Sequence, residues 1–476
     1  MILTIVLIYS ALLFVISRIT ARRATNESFF RADRRSPWYM VAFGMVGASI
    51  SGVTFVSVPG MVMRTQMTYL QTCMGFVLGY VVVALVLLPL YYRLDLTSIY
   101  AFLGKRLGNR SHIAGSSFFL LSKMAGAAVK FYVVCIILQR FVFEPMGVPF
   151  AATVPMLVLL IWLYTRQGGI KTLVWTDSLQ TLCLLVALLM IMHALTADMG
   201  MTAAGAARAI ADSELSRVFV FDDWLTTQNF WKQFVSGIFI VVVMTGLDQD
   251  MMQKNLTCRS LRDAQKDMCC YGLAFVPVNL LFLSVGVLLT MWYQQQGISL
   301  PSSGDELLPH FIAHAADSSL LTAVFVLGIV AASFSSADSA LTSLTTIYCV
   351  DICRRPDNGP LRKRTHLAMC AIFVMFILLF NTVNSTSLID AVYIIVSYTY
   401  GPLLGLFAFG LLTNRDANDR LAPYIAVASP LLCYALDFAT SRLANYHFGY
   451  ELLMLNGLLT FCGLYITSSQ KHIITK

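Results

Sequence analysis

The chain has 476 residues, of which 58% are hydrophobic and only 12% charged, with a formal net charge of +8. A soluble protein carries about 25% charged residues, so this composition excludes a soluble enzyme or a nucleic-acid-binding protein and implies a polytopic protein of the lipid bilayer. The basic excess reads as a topology signal and calls for no acidic partner.

In chain order, thirteen apolar segments can be drawn: roughly 2–19, 38–63, 69–92, 112–139, 149–165, 172–198, 230–252, 267–295, 320–350, 365–383, 387–413, 421–440 and 448–468. The first lacks a basic leader and a small-residue cleavage site, so it reads as a retained helix. Loop basic residues sort by side. Arg18, Arg22, Arg23, Arg31, Arg34 and Arg35 share the first loop, and Arg93, Lys105, Arg106 and Arg110 the third. Lys254, Arg259, Arg262 and Lys266, then Arg354, Arg355, Arg362, Lys363 and Arg364, fall in later odd loops, and the even loops carry few. The positive-inside rule then places the N-terminus outside and the C-terminus in the cytoplasm, which needs an odd number of spans. The cysteines form no CxxC pair and have no histidines at zinc spacing, so they read as core residues.

Two segments are interrupted. The second contains Gly44, Gly47, Ala48, Ser49, Ile50, Ser51, Gly52 and then Pro59-Gly60, and the seventh runs into Met244-Thr-Gly-Leu-Asp-Gln-Asp250. They stand five spans apart and hence run in opposite directions, as expected of inverted-repeat transporters whose broken helices meet at the membrane midplane. Taken alone, each set of glycines could equally serve close helix packing.

The stretch Leu327 to Cys353 is apolar at its start but polar in its middle. Ala332, Ser335, Ser336, Ser339 and Ser343 fall at i, i+3, i+4, i+7 and i+11 and share one helix face, with Asp338 at its edge. Small hydroxylated residues can simply let helices pack closely, but an unpaired carboxylate in hydrocarbon faces a cavity or a partner. Hydroxyls and a carboxylate are hard oxygen ligands suited to a small hard cation.

The chain resembles the sodium:solute symporter family, a branch of the LeuT-like fold, over nearly its whole length. The matching stretches are SISGVTFVSVPG (49–60), DLTSIYAFLGKRLGNRS (95–111), GGIKTLVWTDSLQ (168–180), GLDQDMMQKNLTCRSLRDAQK (246–266), ADSSLLTAVFVLGIVAASFSSADSALTSLTTIYCVDI (316–352) and YGPLLGLFAFGLLTNRDA (400–417). Around Ser51 to Pro59 it is most similar to the sodium-coupled sialic acid symporters. The resemblance implies an all-α integral membrane protein with a 5+5 inverted repeat: residues 38–198 and 230–413, flanked by an extra helix at 2–19 and extra helices at 421–468.

The resemblance further implies a sodium site made of carbonyls from Gly47, Ile50 and Ala332 and hydroxyls from Ser335 and Ser336. A second cation site, present in some members, maps to Asp177, Ser335, Asp338 and Ser339. Related proteins have serine at position 338, so an aspartate there could hold the ion more tightly or carry a proton itself. Asp177 could also merely bond within the bundle. The implied solute pocket takes Ser51, Thr54, Tyr69 and Cys73, with Val241 and Met244 where sugar symporters place polar residues. A neutral sugar is thereby disfavoured.

In the fourth span, Lys123 and Lys130 stand seven residues apart, within about 20° of each other on one helix face. Sialic acid symporters carry an arginine in this helix, aligned with Gly126. Lys130, deep in the span, asks for an anionic solute, with Lys123 assisting; alternatively Lys123 snorkels or pairs with an acid such as Asp390. Asp390 and Asp437 read as interfacial, and Asp248 and Gln249 as gating and packing residues rather than ligand contacts. Residues Thr202 to Trp224 are expected to form an amphipathic helix and a lid. No phosphate loop, nucleophile elbow or metal cluster is present in the sequence, which argues against an ATP-driven pump or an enzyme.

The expected function is Na⁺-coupled import of a small organic anion by alternating access, with one or two Na⁺ per cycle, by a functional monomer of a bacterial inner membrane. The alternatives are proton coupling, a neutral solute, and a transporter-like sensor.

Overall fold

The computed structural model describes residues 2–22, 24–224, 226–314, 319–383, 388–444, 446 and 448–470. Among them there is no strand; two isolated β-bridges join Ser36 to Cys258 and Asp416 to Ser469. The apolar segments form helices because a backbone in hydrocarbon must satisfy its own hydrogen bonds.

In chain order the principal helices are α1 (Ile2–Thr20), α2 (Trp38–Ser49), α3 (Gly52–Thr65), α4 (Tyr69–Arg93), α5 (Asn109–Met146), α6 (Phe150–Thr165), α7 (Ile170–Asp198), α8 (Phe230–Gly246) and α9 (Gln249–Asn255). They continue as α10 (Leu261–Gln296), α11 (Leu320–Ile352), α12 (Gly359–Thr382), α13 (Leu388–Leu412), α14 (Ala422–Leu443) and α15 (Leu452–Thr467). The pairs α2–α3 and α8–α9 are each one span, bent by 61° and 69°. With each bent pair taken as one span, the helices correspond one for one to the thirteen predicted segments.

Burial places α11 at the centre. The most apolar stretch of α11 is 89% buried, against 22% for α1 and for α14, which lie at the periphery. α11 packs on α7, α5, α2 and α3, so the serine stripe meets the first break from inside the bundle. The approach of α2 to α7 requires a glycine, since a Cβ on Gly47 would fall 2.0 Å from Thr181 Oγ1.

The loops are held by charge. The N-terminus of α5 is capped by Asp419, whose carboxylate accepts from the amides of Arg110 (3.0 Å) and Ser111 (2.7 Å). Partial burial opposes ionisation there, but these bonds outweigh it and hold the Asp419 carboxyl below its ordinary range. Within 202–224 a helix forms at Ala203–Asp212, with the Thr202 side chain as its N-cap. Further along, Gln71 Oε1 accepts from the Val220 amide, tying this segment to α4.

Candidate functional site

Both breaks leave polar backbone inside the bundle. At the first, Ile50 (φ −85°, ψ 95°) and Ser51 (φ −86°, ψ 173°) leave the helical region, so the last carbonyls of α2 lose their intrahelical donors. Ser336 on α11 reaches this break and donates its hydroxyl to the Ala48 carbonyl at 3.1 Å and to the Ala332 carbonyl at 3.3 Å. At the second, a π-turn over Val242–Gly246 precedes Asp248, which is extended and accepts from the Asp250 amide at 2.8 Å.

Between the breaks lies a cavity of about 130 Å³. Of the residues assigned to the solute from sequence, Ser51, Thr54, Tyr69, Lys123 and Lys130 line it, together with Gly126, Val241 and Met244. Cys73 does not: it is fully buried in the packing of α4 and is absent from the wall. Aromatic rings from Phe76, Tyr80, Tyr271, Phe275 and Tyr400 contribute part of the remaining wall. Tyr80 donates to Tyr271 (2.8 Å), whose hydroxyl in turn meets Ser49 at the first break.

Two sequence readings change here. Asp248, expected to serve gating and packing alone, lines the cavity with Asp250. Lys123 is not left to a solute: it pairs with Asp248 at 3.0 Å and Asp250 at 2.7 Å, and Tyr400 also donates to Asp248 at 2.7 Å. The seven-residue spacing brings Lys123 level with the second break, where carboxylates are at hand. Lys130, about 10 Å further along α5, reaches the same cavity, and among the described residues no hydrogen-bond or ion-pair partner meets it. The side chain of Asp390, the other acid considered for Lys123, lies outside the described residues.

The ion-site residues gather around α11. Of the residues that the resemblance assigns to the first sodium site, Ser336 donates to the Ala48 carbonyl at the first break and to the Ala332 carbonyl of its own helix, which packs against α2. Ser335 turns toward α7 and donates to Asp177 Oδ1 at 2.8 Å. Asp338 accepts from Tyr164 at 2.6 Å and from Ser339 at 3.3 Å. Sequence reasoning missed Lys254, which the positive-inside pattern assigns to a loop. It is 2% exposed on α9 and lies 2.8 Å from Asp177 Oδ2. Its signal was available: it stands four residues after Asp250, on one helix face, before the true loop begins.

A family model described as the sodium:solute symporter family matches residues 29–420. The chain is 24% identical to the sodium/sialic acid symporter SiaT of Proteus mirabilis, covering 85% of this chain and 83% of that protein. It is 27% identical to a sodium-dependent multivitamin transporter of Oryctolagus cuniculus, over 80% of this chain and 60% of that protein. Among solved structures, a substrate-bound outward-open Na⁺-coupled sialic acid symporter superposes with a TM-score of 0.84 at 19% identity, covering 98% and 99% of the two chains. The nucleobase-cation symporter Mhp1 superposes with a TM-score of 0.59 at 14% identity, covering 93% and 94%. Two breaks facing one cavity beside a hydroxylated central helix are thus the LeuT-like arrangement of a Na⁺-coupled solute symporter, and the chain belongs to the sodium:solute symporter family.

Proposed function

We propose that this symporter imports a small organic anion, held in the cavity by Lys130, by alternating access. One observation carries the reading: Lys130 presents an ammonium to the cavity with no protein partner among the described residues, while Lys123 is already matched by two aspartates. A lysine deep in a span costs about 2.5–3.5 kcal/mol on insertion scales, and an arriving carboxylate removes that penalty. The names of the relatives support an acid, since SiaT is a sialic acid symporter and a human relative is a sodium-coupled monocarboxylate transporter. The cavity, smaller than the roughly 300–1,000 Å³ of drug-sized sites, fits a small solute.

Na⁺ would be held by the carbonyls of Gly47, Ile50 and Ala332 and the hydroxyls of Ser335 and Ser336. All are neutral hard oxygens, which suits an ion that must leave again. Ser336 lines the cavity as well as touching the first break, so ion and solute would share one wall and each would favour the other's binding. The apolar residues exposed around the bundle, Leu7, Leu85, Leu273 and Leu431 among them, form the surface a bilayer would cover. The cation asymmetry of the loops supports an outer N-terminus and a cytoplasmic C-terminus in a bacterial inner membrane, with the monomer as the working unit.

The experiment is solute binding to purified protein in Na⁺ and in choline at one pH, followed by the Lys130→Met variant. A carboxylate should bind only in Na⁺, and Lys130→Met should weaken it about a hundredfold, equivalent to roughly 2–3 kcal/mol. Normal affinity in that variant, or a ligand set that is entirely uncharged, would refute the assignment.

A further inference from the structure

Away from the solute cavity, a second group of buried charges joins α7, α9 and α11. Asp177 and Asp338 are 1% and 0% exposed, and Lys254 is 2% exposed. Each of the four carboxylate oxygens already has a protein partner. Asp177 Oδ2 faces the Lys254 ammonium at 2.8 Å, and Asp177 Oδ1 accepts from Ser335 at 2.8 Å. Asp338 Oδ2 accepts from Tyr164 at 2.6 Å and its Oδ1 from Ser339 at 3.3 Å.

Lys254 is held there by its own helix. Gln253 beside it donates to the Phe30 carbonyl (2.8 Å) and to Thr346 on α11 (3.0 Å). Thr257 donates to the Lys254 carbonyl at 2.6 Å. α9 is thus pinned, and the ammonium is delivered to Asp177 from a fixed base. Asp250, four residues earlier, is drawn off by Lys123 at 2.7 Å and belongs to the cavity.

Charge then decides how many ions the cluster accepts. With both carboxyls ionised, two carboxylates and one ammonium leave a formal charge of −1, which one Na⁺ at the neighbouring Ser335 and Ser336 would cancel. A second Na⁺ would leave an uncompensated positive charge in the bundle, and uncompensated buried charge is strongly disfavoured. We infer that Lys254 is a tethered cation that takes the place of a second Na⁺, so that this symporter binds a single Na⁺ per cycle. The inference rests on the proposed Na⁺ site at Ser335 and Ser336.

The test is equilibrium binding of ²²Na⁺ to the purified full-length chain, without solute. The native protein should bind one ion. Lys254→Met leaves two carboxylates unmatched and should bind two, with the Hill coefficient rising from about one toward two. Lys254→Arg should stay at one. Should Lys254→Met fail to fold, the double variant Lys254→Met with Asp177→Asn restores the native formal charge and should again bind one. Two ions on the native chain, one on Lys254→Met, or any count but one on the double variant would overturn the inference. Failure of the underlying Na⁺ site looks different: no ion on the native chain, or one ion whose affinity is unmoved by Ser336→Ala.

Discussion

Ser336 is the side chain through which ion and solute would feel each other, because its hydroxyl meets the broken backbone while its residue lines the cavity. Removing that hydroxyl should raise the Na⁺ concentration for half-maximal uptake about tenfold, the scale of 1–2 kcal/mol for one buried ligand. Ser343→Ala is the control, since that serine shares the stripe but donates only to Ala340 of its own helix, at 2.9 Å. An equal response of the two variants would show that the stripe serves packing alone. Spacing made the stripe legible, because a carboxylate among hydroxyls on one face of an apolar segment must meet a cavity or a partner. Lys254 was not legible in the same way. A lysine at the end of a span, followed by Arg259 and Arg262, satisfies the positive-inside pattern whether or not it is buried. What distinguishes the two cases is its place one turn after Asp250, on an α9 that the 69° bend keeps inside the bundle. Lys123 was half legible: pairing with an acid was one of its readings, but the acids are Asp248 and Asp250, whose approach depended on where the second break fell.

At the scale of elements, the two bent spans depend on close approach on one side and open space on the other. A Cβ on Gly47 would come within 2.0 Å of the Thr181 hydroxyl oxygen and 3.0 Å of its Cα, so α2 must shift away from α7. Overpacking of this kind costs about 1–3 kcal/mol. Gly47→Ala should therefore lower the melting temperature and, by moving the break, weaken Na⁺ binding. Gly126, on the cavity wall, has nothing within 4 Å of its would-be Cβ. Gly126→Ala should leave thermal stability unchanged, and any effect should be confined to solute affinity. A thermal-shift comparison of the two variants checks the contrast. The breaks themselves were readable as glycine clusters and polar interruptions in otherwise apolar runs. Their bend angles were not, because these follow from what each half-helix packs against.

For the whole molecule, the order of the apolar helices was readable because bilayer thickness sets helix length and lipid forbids other backbone solutions; among the described residues up to eleven are long enough to span, and two more are shorter apolar helices. Sidedness rests on charge and is directly testable. With the native cysteines replaced, Asp212→Cys should react with a membrane-impermeant maleimide on intact cells, and Asp357→Cys only after lysis. The reverse labelling would invert the molecule. The Asp177–Lys254 pair also constrains how such a chain can change over generations. Losing either partner alone strands a buried charge, at about 3–5 kcal/mol, whereas exchanging both for apolar residues can be nearly neutral for folding. The two positions are thus locked in strong epistasis. A lineage that neutralised this pair would have to cross a crippled intermediate or acquire both substitutions together.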